Sequence, residues 1–175
     1  HLPEKHLTII DKANITCDDL YVDLVIGDDY LNDLGKYDLI IKTPGISLKD
    51  IDYSDFKDSI TSQLELLLEV DRENIIGSTG TKGKSTTSTL MYEVLRGQRD
   101  NVYLLGNIGI PVLDKIEEYT DSSLLVIEMS SHQLEFIKHS PHIAAILNLF
   151  QDHLDHAGSL EHYHNNKMNI FKYQT

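Results

Sequence analysis

The chain has 175 residues, of which 41% are hydrophobic and 25% charged, values that fit one ordinary globular domain or two small ones and exclude wholesale disorder. Its 28 acidic and 15 basic residues give a net charge of −13, which disfavours a nucleic-acid binder that relies on a broad basic face but leaves room for a small anionic ligand held by backbone N–H groups and one or two lysines. Apolar runs such as 143–150 are far shorter than the ~20 residues of a membrane helix, no charged-then-apolar leader is read, and a lone Cys17 cannot form an internal disulfide, so the expectation is a cytoplasmic protein with no membrane partner.

In chain order, the short apolar runs 7–10, 24–26 and 39–41 read as strands, the last running into Pro44-Gly45. Residues 63–70 read as a helix. Residues 74–76 form a strand that enters a glycine-rich stretch, and 85–95 carry apolar positions at helical spacing. Further strands are predicted at 102–105, 124–127 and 143–149, and further helices at 112–119 and 160–171. Strands without strict alternation, interleaved with helices, indicate parallel sheets covered on both faces. The fold class is therefore α/β, with a boundary near residues 58–64. Residues 1–70 hold 15 of the 28 acids, whereas seven of the nine histidines fall between His132 and His164, so the second half is the chemical half.

The stretch Gly77-Ser-Thr-Gly-Thr-Lys-Gly-Lys-Ser-Thr86 lies between a predicted strand and a predicted helix. Its glycines allow a tight turn that aims N–H groups at an anion, and the helix that follows adds its positive end. Gly80, Thr81, Lys82, Gly83, Lys84, Ser85 and Thr86 are the candidate ATP/phosphate-binding residues, with Lys84 reaching the outer phosphates and the Ser85 hydroxyl available to Mg²⁺. The strict form of such a loop has glycine where this chain has Ser78. A second anchor is Glu128, at the end of the apolar run 124–127, where an NTPase keeps a carboxylate for magnesium. The third is Gln151-Asp-His-Leu-Asp-His156 after the strand at 143–149. Loops at the carboxyl ends of parallel strands line the ligand crevice, so Glu128 and the Asp152/His153 group are expected on the rim that carries the phosphate loop. His153 and His156 also have a spacing that zinc could use, although no cysteine lies nearby.

Residues 77–86, the turn Gly106-Asn-Ile-Gly109, the run Glu128-Met-Ser-Ser-His-Gln-Leu-Glu135, and 148–155 followed by Lys167 resemble, in this order, the motifs of the Mur ligases. These are ATP-dependent amide-bond ligases of bacterial cell-wall synthesis. Glu128–Glu135 and the turn Thr43-Pro-Gly-Ile46 resemble most the branch that adds D-glutamate to UDP-N-acetylmuramoyl-L-alanine, with His132 where that branch has phenylalanine. The resemblance implies a Rossmann-like N-terminal domain for the UDP-sugar, here partial over 1–61, followed by a P-loop ATPase-type central domain, partial over 62–175. A third, amino-acid-binding domain and the adenine contacts are expected beyond Thr175, so the chain is expected to be a fragment, inactive by itself as a ligase.

The resemblance further implies ATP and Mg²⁺ as cofactors and a monomer with small-molecule substrates. Lys84, His153 and Lys167 are the implied catalytic residues. Ser85, Glu128, His153 and Lys167 are the implied metal ligands, Lys167 being carbamylated in the family. Thr43, Pro44, Gly45, Asn107, Ser130 and Gln133 are the implied substrate-binding residues. Asp11 and Lys12 are weaker candidates, and His156 stands where an arginine often occurs. Another ligase of the superfamily, such as folylpolyglutamate synthase or a muramoyl-tripeptide ligase, is an alternative, as is a non-catalytic nucleotide-binding module.

Overall fold

The computed structural model describes residues 6–19, 21–151 and 159–175, and the chain packs as two compact units, His1–Asp38 and Leu39–Thr175. In the first, β1 (Leu7–Asp11) pairs in parallel with β2 (Val22–Ile26), Leu7 opposite Val22 and Asp11 opposite Ile26. A single 3₁₀ turn follows at Leu34–Lys36.

The second unit opens with two very short strands, β3 (Ile40–Ile41) and β4 (Ile60–Thr61), also paired in parallel. The β4 strand was not foreseen: two residues show no periodicity. Helix α1 (Gln63–Asp71) follows at once, capped by Ser62, whose hydroxyl accepts from the Glu65 N–H at 3.1 Å. Its Leu64, Leu67 and Leu68 are fully buried, each contributing about 1.5–3 kcal/mol by leaving water.

The main sheet has four strands in the order β6-β7-β5-β8: Val102–Gly106, Leu124–Glu128, Ile75–Thr79 and Ile143–Ile146. All three pairings are parallel. Leu125, Val126 and Ile127 are completely buried at its centre and join Leu64, Leu105, Met129, Leu134 and Ile170 in the core. Helix α2 (Lys84–Arg96) follows β5, and α3 (Leu160–Lys172) starts at the capping Ser159. On α3 the buried residues are Tyr163, Asn166, Lys167 and Ile170, the spacing of one helical face. No helix among the described residues is long and apolar enough to cross a membrane.

Two expectations are corrected. Residues 112–119 do not form a helix: they make successive turns and one 3₁₀ turn at Ile116–Glu118, with i→i+3 bonds from Asp114 N–H to Pro111 and from Glu118 N–H to Lys115. Only Val112 is buried there, so no apolar face repays the cost of nucleating a helix. The strand expected over 143–149 ends at Ile146: Leu147 N–H still bonds Thr79 O at the end of β5, and from Asn148 the chain bonds the phosphate loop instead.

Candidate functional site

Strand β5 is flanked on both sides, so its carboxyl end delivers the loop 80–83 into the middle of the sheet's rim. Gly83 occupies the position before α2 with φ +84°, a left-handed conformation that glycine adopts without steric cost. From there Thr87 N–H closes the first helical bond on Gly83 O, leaving the amides of residues 83–86 at the positive end of α2. Ser78, the departure from the strict loop pattern, is completely buried, and its hydroxyl shares a 2.6 Å hydrogen bond with that of Ser88 on α2. The side chain that replaces glycine is thus used inside the fold to fasten the helix to its strand. Thr79 makes a similar tie, donating to Met129 O at 2.7 Å.

Glu128 ends β7 directly opposite Ser78 on one side and Gly106 on the other. It is 1% exposed. Its Oε1 accepts from Asn107 Nδ2 at 2.8 Å and its main-chain O accepts from Asn107 N–H at 3.0 Å. Its Oε2 is buried without a hydrogen-bond partner among the described residues, a costly arrangement for a carboxylate unless a cation supplies the missing interaction. Gly106 makes this pairing possible: it holds φ +100°, and a Cβ there would collide with Glu128 O.

Lys167 is not an exposed helix lysine but a buried one, 1% accessible, whose Nζ donates to Gly80 O at 2.9 Å and lies 4.8 Å from the Tyr163 ring centroid. Lys84 is half-buried and folds back to donate to Thr81 O at 3.1 Å. Ser85, Thr86 and Lys82 are exposed. Ser130 and Gln133 form a reciprocal cap after β7: Ser130 N–H donates to Gln133 Oε1 at 2.9 Å, and Gln133 N–H donates to Ser130 Oγ at 3.2 Å. Thr43, Pro44 and Gly45 make a turn closed by Ile46 N–H on Thr43 O. The phosphate loop, Glu128, Asn107 and Lys167 are thereby brought together at the ends of β5 and its neighbours. His153, with Asp152, Asp155 and His156, lies outside the described residues.

Residues with no foreseen role also shape this region. Lys42, just before the Thr43 turn, is buried and pairs with Glu135 Oε2 at 3.3 Å, while Glu135 Oε1 lies 3.2 Å from His162 Nε2 on α3. Burial holds the Lys42 ammonium below its ordinary pKa, and the Glu135 charge opposes that shift without cancelling it. This pair ties the turn at 43–46 to the segment that carries Ser130 and Gln133. Asn148, beyond β8, and Tyr163 both bond to the phosphate loop. Asn148 opens the motif at 148–155, but nothing local in the sequence shows that it or Tyr163 acts on this loop, because each reaches residues more than sixty positions away.

The family model of the Mur ligase middle domain matches residues 79–175. A UDP-N-acetylmuramoylalanine--D-glutamate ligase of Clostridium kluyveri is 42% identical over 157 residues, covering 88% of this chain and 34% of that protein. One of Clostridium botulinum is 38% identical over 175 residues, covering 98% and 38%. The chain thus spans little more than a third of the length of these curated relatives. Among solved structures, the UDP-N-acetylmuramate:L-alanyl-gamma-D-glutamyl-meso-diaminopimelate ligase from Neisseria meningitides aligns with a TM-score of 0.48 at 22% identity, covering 88% of this chain and 54% of that one. With more than half of its residues inside the matched middle domain, the chain belongs to the Mur ligase family.

Proposed function

We propose that the protein carrying this chain joins D-glutamate to UDP-N-acetylmuramoyl-L-alanine at the expense of ATP, through an acyl phosphate, as a cytoplasmic monomer. The observation that carries the reading is Glu128: a buried carboxylate with one oxygen unpartnered among the described residues, set beside the phosphate loop. The relatives named above point to the D-glutamate branch.

Residues 1–61 are assigned as part of a Rossmann-like UDP-sugar domain and 62–175 as part of a P-loop ATPase domain. The difference between this division and the packing division after Asp38 is local. The Lys42–Glu135 ion pair, the hydrogen bond from Lys138 Nζ to Asp58 O and the Tyr53–Phe136 ring contact fasten residues 39–61 to the rest of the second unit.

The chemistry requires two anions, the substrate carboxylate and the γ-phosphate, to meet. Amides of residues 83–86 and the Lys84 ammonium bind and neutralise the outer phosphates as charge spreads in transfer. Lys84 leaves Thr81 O to do so. The donors present fit a hard cation: the orphaned Glu128 Oε2 and the Ser85 hydroxyl would hold Mg²⁺, joined by His153. Lys167 would enter that set only as a carbamate, since an ammonium has no lone pair to offer. When bound, Mg²⁺ lowers the charge on the phosphate oxygens. Asn107, Ser130 and Gln133 are assigned to the muramoyl-alanine end of the acceptor, and Thr43, Pro44 and Gly45 to its nucleotide side. Asn107 also fixes the orientation of the Glu128 carboxylate.

Phosphate release by the full-length protein tests this. It is expected only when ATP, UDP-N-acetylmuramoyl-L-alanine and D-glutamate are all supplied. Equal release without the acceptor, or with a muramoyl tripeptide in its place, refutes the assignment.

A further inference from the structure

Two successive peptide planes of the phosphate loop share one pattern. In the Gly80–Thr81 peptide, the N–H donates to Asn148 O at 3.0 Å and to Asn148 Oδ1 at 3.1 Å, while the C=O accepts from Lys167 Nζ at 2.9 Å. In the Thr81–Lys82 peptide, the N–H donates to Asn148 Oδ1 at 2.9 Å and the C=O accepts from Lys84 Nζ at 3.1 Å. Asn148 Nδ2 then donates to Lys82 O at 2.8 Å. Because a trans peptide points its N–H and C=O in opposite directions, a residue that pulls both N–H groups to one side turns both carbonyls to the other. Asn148 therefore decides where the ammonium groups of Lys84 and Lys167 rest.

The same arrangement sorts the loop's donors. Amides of Thr81 and Lys82 are committed to Asn148 and cannot serve an anion, which leaves those of residues 83–86. Gly80 fits this packing closely, since a Cβ at that position would lie 3.3 Å from both the N and the O of Asn148. Strand β8 has already ended at Ile146, so the main chain of Leu147 and Asn148, with the Asn148 side chain, extends the edge that β8 presents to β5.

We propose that Asn148 is a positioning residue for nucleotide binding: its carboxamide orients the two peptides whose carbonyls hold Lys84 and Lys167 beside the loop, from where Lys84 reaches the outer phosphates together with the amides of residues 83–86. This role rests on the ATP reading given above.

The test compares wild type, Asn148→Ala and Asn148→Asp in the full-length protein, by amide hydrogen exchange and by MgATP titration followed at the Lys84 and Ser85 amides. In Asn148→Ala the Lys82 amide is expected to lose protection about tenfold or more, as one hydrogen bond of ordinary strength disappears. Thr81 keeps its bond to the main-chain oxygen, and the amides of Ile76 and Ser78 in β5 stay as in wild type. Asn148→Asp keeps the Oδ1 acceptor and therefore the Lys82 protection. MgATP is expected to bind Asn148→Ala about tenfold more weakly. Unchanged Lys82 protection in Asn148→Ala, or loss of protection spread equally through β5, overturns the local role. Equal MgATP affinity of wild type and Asn148→Ala overturns the positioning role while leaving the ATP reading in place. No MgATP response in wild type overturns the ATP reading and this role with it.

Discussion

Glu65 offers the sharpest test of how the second unit holds together. Its side chain is 5% exposed on α1 and serves a single distant segment. Oε2 accepts from the amides of Lys138 at 2.8 Å and His139 at 3.2 Å, and Oε1 lies 2.8 Å from His139 Nδ1. Glu65→Ala removes all three interactions and leaves the His139 amide, in a half-buried segment, without its acceptor. Hydrogen bonds to a charged acceptor contribute about 1.5–3 kcal/mol each, and an orphaned buried amide costs about 1–3 kcal/mol. Lys138 is exposed and water can serve its amide, so about 4 kcal/mol is the expected total. For a chain of this size that is a fall of roughly 8–16 °C in Tm. Urea unfolding of wild type, Glu65→Ala and Glu65→Gln measures it. Glu65→Gln keeps one carbonyl acceptor and is expected to lose about half as much. A loss below about 1 kcal/mol for Glu65→Ala would refute the reasoning, since it would mean that water replaces the carboxylate at no cost.

Three other outcomes are expected. Lys84→Ala should abolish nucleotide turnover in the full-length protein while changing stability by less than about 1 kcal/mol, because among the described residues its ammonium bonds a loop carbonyl, Thr81 O, and not the core; normal turnover or a collapsed circular dichroism spectrum would contradict it. Lys167→Ala should lose most ligase activity and recover part of it with acetate, whereas Lys172→Ala should do neither, which steady-state rates with and without acetate decide. Burial, chiefly, together with Tyr103, Glu118 and Asp114, pushes the Tyr119 phenol from 10.0 up to about 12, so its favourable contribution is complete below pH 10 and is lost as pH rises through about 12; Tyr119→Phe should show a shallower fall in stability over that window.

The parts of the site that are local in sequence were legible. Residues 77–86 announce a strand, a loop and a helix by spacing alone, and Glu128 ends a run whose apolar character could only be a buried strand. What sequence could not show is where side chains meet across the sheet. Helical periodicity placed Lys167 on a helix, but that it shares the buried stripe of Tyr163 and Ile170 follows from packing. Ser130 and Gln133 were read for a ligand, and the structure shows that part of their hydrogen-bonding capacity goes to each other. Asn148 was visible as the start of a motif, yet its work depends on β8 lying beside β5. The missing helix at 112–119 and the two-residue β4 fail for a related reason: pattern reports what could be buried, and neighbours decide what is.

The order of strands in the main sheet also sets when the loop can exist during synthesis. Strand β5 is made first but stands in the interior, paired with β7 and β8, which come later. Lys82 waits for a partner 66 residues further on, Thr81 for Phe150 at 69 and Tyr163 at 82, and Gly80 for Lys167 at 87. At about 5–20 residues per second, the emerging phosphate loop spends several seconds as unstructured, glycine-rich chain. Such long-range closure makes folding slow compared with a helical bundle. The loop is therefore assembled from its far end backwards, and a ribosome-bound chain arrested before Lys167 should carry the whole loop sequence without its shape.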